Sequence, residues 1–391
     1  MNQKSNIIIQ KYGGSSLANV KTIKIIASLI KYRFIKNKKI CVIVSAMGKT
    51  TNKLINLANQ INKKPPLREL DMLISCGERS SMSLLAMALN SINVPSISFT
   101  GSQSGIITDN KHSMAKIIAI NPIRVQKELK KNKVVIIAGF QGISKKNEIT
   151  TLGRGGSDIT AVAMAAALKA KVCEIYSDVD GIYTADPNII TSANIFKKIS
   201  YEQTYNIAKS GSRVLHYNAI KIAKQKGIEI HTKKVGSLNT GTIISNTISK
   251  KFFNITHRET VFKISLNNNS KFLIFLKHLQ DNNINTILIR LIKNKSFPSF
   301  IFIDKENFTN LTKLLIKNQH QISTYSQISI ILNKDKNINE LLYNTITTLK
   351  KASMDIKEVT AINNYIYFFL KQNHATLSIN ILHKILANKT I

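Results

Sequence analysis

The run Ile7-Ile8-Ile9-Gln10-Lys11-Tyr12-Gly13-Gly14-Ser15-Ser16 decides the fold. Its first four residues make an apolar strand, and the glycine pair supplies the turn that ends it. Leu17, Val20, Ile23, Ala27 and Ile30 then follow at helical spacing, so a strand hands over to an amphipathic helix. The same order returns further along. Ile40 to Val44 reads as a second strand, ended by the polar turn Ser45-Ala46-Met47-Gly48-Lys49-Thr50-Thr51-Asn52. Pro65-Pro66 breaks the chain before one long helix predicted over about 69 to 90. Val134 to Ala138 and Val172 to Tyr176 read as buried strands, and between them Gly153-Arg154-Gly155-Gly156-Ser157-Asp158 precedes an alanine-rich helix. This alternation predicts a three-layer α/β/α domain with a mainly parallel central sheet over residues 1–247.

Past Gly241 glycine disappears, and two similar modules follow. The first reads as strand (260 to 266), helix (270 to 282), strands (284 to 291 and 298 to 303) and helix (307 to 319). The second reads as strand (326 to 332), helix (338 to 352), strands (355 to 361 and 364 to 370) and helix (375 to 387). A β-α-β-β-α order repeating every ~66 residues predicts two ferredoxin-like α+β domains, over 260–322 and 323–391.

Composition narrows the class. The net charge of +35 raises a nucleic-acid function, tested by salt-dependent retention on DNA, but the lysines are spread through every segment, with no arginine-rich block and no zinc or helix-turn-helix signature. No nucleic-acid partner is expected. No apolar run reaches the roughly 18 residues of a membrane span, and the apolar part of Met1 to Gln10 is too short for a signal peptide, so no membrane partner is expected. Cys41, Cys76 and Cys173 have neither metal spacing nor an even count; each is expected as a buried free thiol in a reducing cytoplasm.

Three turns can carry chemistry. Lys11 to Ser16 joins a cation to small residues at a helix start, an anion-binding layout without P-loop spacing, and one that ordinary strand–helix turns share. In Gly153 to Asp158 an arginine stands between glycines in a chain with only eight arginines against 48 lysines. Its planar fork suits carboxylate or phosphate. Ser177-Asp178-Val179-Asp180-Gly181-Ile182-Tyr183-Thr184-Ala185-Asp186-Pro187 follows a buried strand, where open α/β sheets hold ligands, though Asp-Gly turns are common in any loop. Glu78 and Arg79 interrupt an otherwise apolar helical stretch. They read either as a surface pair at a helix start or as charges with a ligand.

In one order along the chain, Lys11-Gly13-Gly14, Ser45 to Thr51, Gly77-Glu78, Gly153 to Asp158 and Ser177 to Pro187 form a set that resembles the aspartate kinases of the amino-acid kinase superfamily. The likeness covers about 6 to 245, with Thr150-Thr151-Leu152 before the arginine turn and Val214-Leu215-His216 near its end. The C-terminal repeat resembles that family's paired ACT domains. The resemblance implies transfer of the ATP γ-phosphoryl group to the β-carboxylate of L-aspartate, with Mg2+ held largely by the nucleotide and water. It also implies a homodimer through the ACT domains and a place at the head of lysine (diaminopimelate), threonine and methionine synthesis. By the same resemblance Lys11 would meet the transferring group, Asp158 would hold Lys11, and Tyr12, Gly13, Gly14, Ser15 and Ser45 would line the phosphate pocket. Arg154 would grip the aspartate carboxylate and Glu78 its ammonium, with Thr51, Gly155, Gly156 and Ser157 beside them. Ser177, Asp178, Tyr183, Asn188 and Arg213 would face the nucleotide. No resident metal ligands are implied. Two other readings stay open on sequence alone: a kinase of glutamate or acetylglutamate, and a catalytically inactive amino-acid sensor.

The chain departs from the family in places. Asn188 stands where relatives usually carry arginine, Arg213 where they have lysine, and Tyr217 and Asn218 replace a proline and a basic residue. The turns Leu266-Asn267-Asn268-Asn269-Ser270 and Leu332-Asn333-Lys334-Asp335-Lys336 lack the glycines of effector-binding ACT domains, and Ile356 to Ile362 lacks their serine- and threonine-rich character. The expectation is a structural, dimerising ACT pair with weak or absent binding of lysine or threonine.

Overall fold

The structure, a computed structural model, describes residues 7–36, 38–212, 214–237, 241–250, 252–266, 269–281, 284–291, 299–305, 307–308, 311, 321–333 and 338–390. The chain divides into two compact units. One comprises Met1–Ile182, Ile195–Lys209 and Arg213–Ser249; the other Tyr183–Asn194, Ser210–Ser212 and Lys250–Ile391.

In the first unit the strands are β1 (Ile7–Tyr12), β2 (Lys39–Val44), β3 (Ser96–Phe99), β4 (Ile106–Thr108), β5 (Ile117–Ile120), β6 (Val134–Ala138), β7 (Gln141–Ser144), β8 (Ile149–Thr151), β9 (Val172–Ser177), β10 (Lys198–Ser200), β11 (Glu229–Lys234) and β12 (Thr242–Ser245). The helices are α1 (Val20–Ile35), α2 (Thr50–Ile61), α3 (Leu67–Ile74), α4 (Cys76–Asn90), α5 (Ile123–Lys130), α6 (Gly156–Ala167), α7 (Tyr201–Lys209) and α8 (Tyr217–Lys226). Eight strands form the main sheet in the order β10-β12-β11-β9-β1-β2-β6-β3, and every neighbour pair is parallel except β11 with β12. A smaller sheet runs β5-β4-β7-β8.

Burial on both faces explains the continuous apolar runs of β2 and β6. Val42, Val44, Ile136 and Ala138 pack with Ile23, Ile26 and Ile30 of α1 and with Leu85 and Leu89 of α4. Helix α6 packs against β1, β2 and β9. A side chain that alternates faces along β1 therefore meets two different environments. Tyr12 belongs to the core beneath α1 and α4 and stacks on Tyr176 with ring centroids 4.7 Å apart, whereas Lys11 turns to α6. The start of α1 is fixed by a capping box: Asn19 Oδ1 accepts from the Thr22 N–H at 3.0 Å, and Thr22 Oγ1 accepts from the Asn19 N–H at 3.2 Å.

The long helix read over about 69 to 90 is two helices, α3 and α4, meeting at Ser75. The Ser75 carbonyl accepts from Gln141 Nε2 at 2.9 Å, so a side chain of another strand takes up an acceptor that would otherwise serve the helix ladder. Of the three cysteines, Cys41 and Cys173 are buried, but Cys76 is exposed, against expectation. Gly77, Glu78, Ser81, Met82, Leu85 and Leu89 form the inward face of α4, which leaves Cys76, Ser80, Leu84 and Met87 on its outward face.

The second unit contains one antiparallel sheet ordered β14-β15-β13-β16-β18-β17. Its strands are β13 (Phe253–Leu266), β14 (Leu288–Arg290), β15 (Ser299–Asp304), β16 (Gln321–Leu332), β17 (Ile356–Ile362) and β18 (Tyr365–Leu370). Its helices include Asn269–Asp281, Ile338–Lys351 and Ala375–Thr390. The two halves repeat the same arrangement, each with the last strand of its module beside the first and the middle strand at the edge. The two ferredoxin-like domains thus share one sheet, because β13 and β16 pair along almost their whole length, from Phe253 opposite Leu332 to Ser265 opposite Gln321. That pairing covers two strand edges at once. Most of the helix read over 307 to 319, and the cores of the turns at 267–268 and 334–336, lie outside the described residues.

The segment Tyr183–Asn194 also belongs to this second unit. The Ile255 N–H donates to the Thr184 carbonyl at 2.8 Å, Asn254 Nδ2 donates to the Tyr183 carbonyl at 2.7 Å, and Thr184 Oγ1 lies 2.9 Å from His383 Nε2. Ala185 and Ile190 join the apolar core around Phe253, Ile255 and Leu382. Among the described residues no helix is long and apolar enough to cross a membrane.

Candidate active site

Parallel strands leave their C-terminal ends on one edge of a sheet, and here β9, β1 and β2 end side by side, with Tyr12 in register with both Val44 and Tyr176. The turns that follow are tied to one another. The Gly13 N–H donates to the Tyr176 carbonyl at 3.2 Å, the Ser45 N–H to the Tyr12 carbonyl at 3.1 Å, and the Gly48 N–H to the Gly14 carbonyl at 2.9 Å. A Cβ on Gly14 would stand 2.8 Å from the Ala46 carbonyl oxygen, so only glycine lets these two turns close on each other. The Ser16 hydroxyl is buried at this turn with no hydrogen-bond partner, while Ser15 is exposed.

Lys11 Nζ lies 2.7 Å from Asp158 Oδ1, the ion pair that the family resemblance implies, and both side chains are largely buried. Asp158 Oδ2 accepts from the His216 backbone N–H at 3.2 Å. Asp158 sits in the first turn of α6, whose N-cap is Gly155 at φ +66°, with no side chain capping the helix. The first N–H groups of α6 and its dipole therefore face the same region as the Lys11 ammonium, a favourable place for an anion. Ser157 is buried against Gly139, which follows β6. Arg154 is exposed, in the turn between β8 and α6.

Glu78 is 3% exposed on α4. Its Oε1 accepts from the Ala46 N–H at 3.0 Å, while Oε2 has no hydrogen-bond partner. Burial pushes this carboxyl up to about 7, against the pull of the backbone N–H groups of Ala46 and Glu78. The surface-pair reading of Glu78 does not survive this burial: it is a lone carboxylate beside the ends of β1 and β2, suited to a ligand cation. Thr51 is half-buried in the first turn of α2.

Beyond β9, Ser177 Oγ donates to the Val179 carbonyl at 3.1 Å, and Asp178 is exposed. Tyr183 and Asn188 belong to the second unit, where Asn188 Nδ2 donates to Asp186 Oδ1 at 3.0 Å. Arg213 lies outside the described residues.

Two residues of this region escaped assignment from sequence. His216 caps α8 by accepting from the Asn218 N–H at Nδ1, 3.3 Å away, and burial lowers its basicity although Asp158 pulls the other way. Its ring packs where a Cβ on Gly155 would stand, so it seals the arginine turn. The only signal for it was its place at the end of the Val214-Leu215-His216 triplet. For Asp71, fully buried on α3, the one signal was its place among the apolar residues Leu70, Met72, Leu73 and Ile74.

A three-layer sheet whose parallel strand ends gather a lysine–aspartate pair, glycine turns and an uncapped helix start defines a class of small-molecule phosphotransferase. Residues 6–233 match the family described as the amino acid kinase family, and the chain belongs to it. Within that family it belongs to the aspartokinases. It is 40% identical over 336 residues to the aspartokinase of Bacillus sp. (strain MGA3), covering 82% of this chain and 80% of that one. It is 46% identical over 243 residues to the aspartokinase of Mycobacterium tuberculosis (strain ATCC 25618 / H37Rv), covering 62% of this chain and 58% of the relative. The fold agrees with that of E. coli aspartokinase III in complex with aspartate and ADP. There the TM-score is 0.79 at 21% identity, over 97% of this chain and 99% of that one.

Proposed function

We propose that this enzyme transfers the γ-phosphoryl group of ATP to the β-carboxylate of L-aspartate, giving 4-phospho-L-aspartate and ADP. The observation that carries the reading is the buried Glu78 carboxylate, with one oxygen free of any hydrogen bond, beside the strand end that bears the Lys11–Asp158 pair. An α-amino acid brings the ammonium that such a carboxylate needs, and a nucleotide brings the phosphates that suit Lys11 and the start of α6.

In the proposed reaction a β-carboxylate oxygen attacks the γ-phosphorus. A new O–P bond forms as the bond to the β,γ-bridging oxygen breaks, and the electron pair leaves with ADP. The attacking carboxylate is already ionised at neutral pH, so no general base is needed. Lys11 would neutralise charge on the transferring group, and Asp158 would fix where its ammonium sits. Gly13, Gly14, Ser15, Ser45 and the backbone of Tyr12 would line the phosphate pocket. Glu78 would hold the substrate ammonium and Arg154 its α-carboxylate as a bidentate clamp, with Thr51, Gly155, Gly156 and Ser157 completing the amino-acid site. Ser177, Asp178, Tyr183, Asn188 and Arg213 are assigned to the nucleotide.

We assign the metal to the nucleotide, with which it would enter the site. Mg2+ would be held largely by phosphate oxygens and water, and when bound it neutralises charge on the β and γ oxygens. We further assign the enzyme to the cytoplasm, supported by its free thiols, and a homodimer to the paired ACT domains. Hydroxamate trapping of the acyl phosphate tests the reaction, with aspartate, glutamate and acetylglutamate offered in turn with Mg-ATP. Aspartate is expected to be strongly preferred. Equal or faster turnover of either rival would refute the proposal.

A further inference from the structure

Asp71 stands among apolar neighbours in Leu70-Asp71-Met72-Leu73-Ile74 and is fully buried, yet the proposed chemistry leaves it unused. A carboxylate in that position must be compensated by hydrogen bonds. Its Oδ1 accepts from Thr151 Oγ1 at 2.6 Å, and from the N–H and hydroxyl of Ser113 at 3.1 and 3.2 Å. Its Oδ2 accepts from the Thr151 N–H at 3.2 Å, from the Ser113 N–H at 3.0 Å and from His112 Nδ1 at 2.9 Å. Every donor lies outside α3, so the carboxylate joins three separate stretches of chain.

Two of those stretches lead to the amino-acid site. Helix α3 runs through Ser75 directly into α4, which carries Glu78 on its first turn. Thr151 ends β8 only three residues before Arg154. The third stretch supports the second: the Ala115 N–H donates to the Thr151 carbonyl at 2.9 Å, and the Cβ position of Gly153 faces the Ser113 carbonyl at 3.2 Å. Ser113 adopts φ +64°, a conformation that a non-glycine residue holds only where its surroundings impose it. Its N–H and hydroxyl both bond to Asp71, which is what imposes it here.

We propose that Asp71 is a positioning residue that sets the separation between Glu78 and Arg154, and so governs how tightly the enzyme holds the α-ammonium and α-carboxylate of its amino-acid substrate. The inference rests on the assignment of Glu78 and Arg154 as the ammonium and carboxylate clamps. Asp71 touches neither substrate. It fixes the start of the arginine turn against the helix pair that bears the glutamate, and a displacement of about 1 Å in such a clamp costs on the order of a hundredfold in rate.

The test uses the full-length enzyme and four variants: Asp71→Asn, Thr151→Val, Thr151→Ser and Arg154→Ala. Thr151→Val keeps the residue 151 N–H and removes only the hydroxyl bond, and Thr151→Ser restores that bond. Asp71→Asn is expected to raise the aspartate KM about tenfold to a hundredfold, and Thr151→Val about fivefold. In both, the ATP KM stays within about twofold, whereas Thr151→Ser behaves as the parent. If Asp71→Asn does not fold, the Thr151 pair decides the matter alone. An unchanged aspartate KM in folded Thr151→Val overturns the proposal. So does a parallel loss of kcat, both KM values and urea midpoint, which marks a purely structural role. Arg154→Ala separates the two levels. If it leaves the aspartate KM unchanged, the clamp assignment fails and this inference falls with it. If it raises the aspartate KM while the Asp71 and Thr151 variants do not, only the positioning role is lost.

Discussion

Replacing Glu78 by glutamine should strengthen the fold and weaken the enzyme, two opposite effects from one oxygen. Glu78 is 3% exposed, accepts from the Ala46 N–H at Oε1 and leaves Oε2 without a hydrogen-bond partner. Burial moves its carboxyl from the ordinary 4.5 to about 7. Between those values the folded protein holds a proton that the unfolded chain has released, so its stability falls as pH rises through that window. At ~1.4 kcal/mol per pH unit the loss reaches about 3 kcal/mol above pH 7 and vanishes below 4.5. Glutamine keeps the shape and the acceptor for Ala46 without the charge. The variant should therefore match the parent near pH 4.5 and exceed it by up to about 3 kcal/mol at pH 8. Substrate binding moves the other way. Loss of a charge-assisted partner for the ammonium costs about 2 to 3 kcal/mol, a rise of roughly 30- to 150-fold in the aspartate KM. In the parent the aspartate KM should also climb about tenfold per pH unit below 7, as Glu78 takes up its proton, whereas in the variant it should stay flat. Urea unfolding from pH 5 to 8, paired with steady-state kinetics over the same range, measures both effects. A variant no more stable than the parent at pH 8, or with an unaltered aspartate KM, would refute the view of Glu78 as a carboxylate waiting for a cation.

Lys11→Ala should lower kcat by about a hundred- to a thousandfold with the aspartate KM within about threefold, as expected for a group that acts on the transferring phosphoryl. Arg154→Ala should instead act mainly on the aspartate KM, and the reverse pattern in steady-state kinetics would exchange the two roles. Gly155→Ala should destabilise the protein by about 2 kcal/mol or more. It forces a non-glycine residue to φ +66° and sets a Cβ 2.3 Å from His216, and a drop in thermal midpoint reports it. Calorimetric titration with lysine and with threonine should show no tight binding, since the C-terminal turns lack the glycines of effector-binding relatives; submicromolar binding of either would contradict that reading.

The elements most legible in the sequence were those with one dominant period. β6 and β9 fell where continuous apolar runs placed them, because both faces of the main sheet are covered. The Lys11–Asp158 pair was expected through the family resemblance alone, since nothing local ties a lysine in one glycine turn to an aspartate in another. What escaped depended on partners distant in sequence. Gln141 interrupts the helix at Ser75 from 66 residues away, a break that no local propensity announces. The fusion of the two C-terminal modules into one sheet rests on pairing between β13 and β16, and each strand reads equally well as the end of a separate domain. The assignment of Tyr183–Asn194 to the second unit rests on Thr184 meeting Ile255 and His383, contacts invisible in an Asp-Gly loop with a proline stop.

Glu78 also shows why buried charge, taken alone, is a poor guide to function. Among the described residues of the first unit, five carboxylates are buried: Asp71, Glu78, Glu128, Asp158 and Glu174. Burial raises the pKa of Glu174, yet Lys233, Arg33 and the Gln10 amide together hold it below the ordinary range. Glu128 is paired with both Lys131 and Lys133, Asp158 with Lys11, and Asp71 is saturated by neutral donors and His112. These four are compensated within the protein, and their removal would leave partners unsatisfied. Glu78 alone has an oxygen with neither an ion-pair partner nor a hydrogen bond, and burial drives its carboxyl upward. A structural carboxylate gains nothing from such a state, because glutamine would fill the same space at lower cost. Under the proposed assignment the charge is retained for a partner that arrives from solution, the ammonium of the amino-acid substrate.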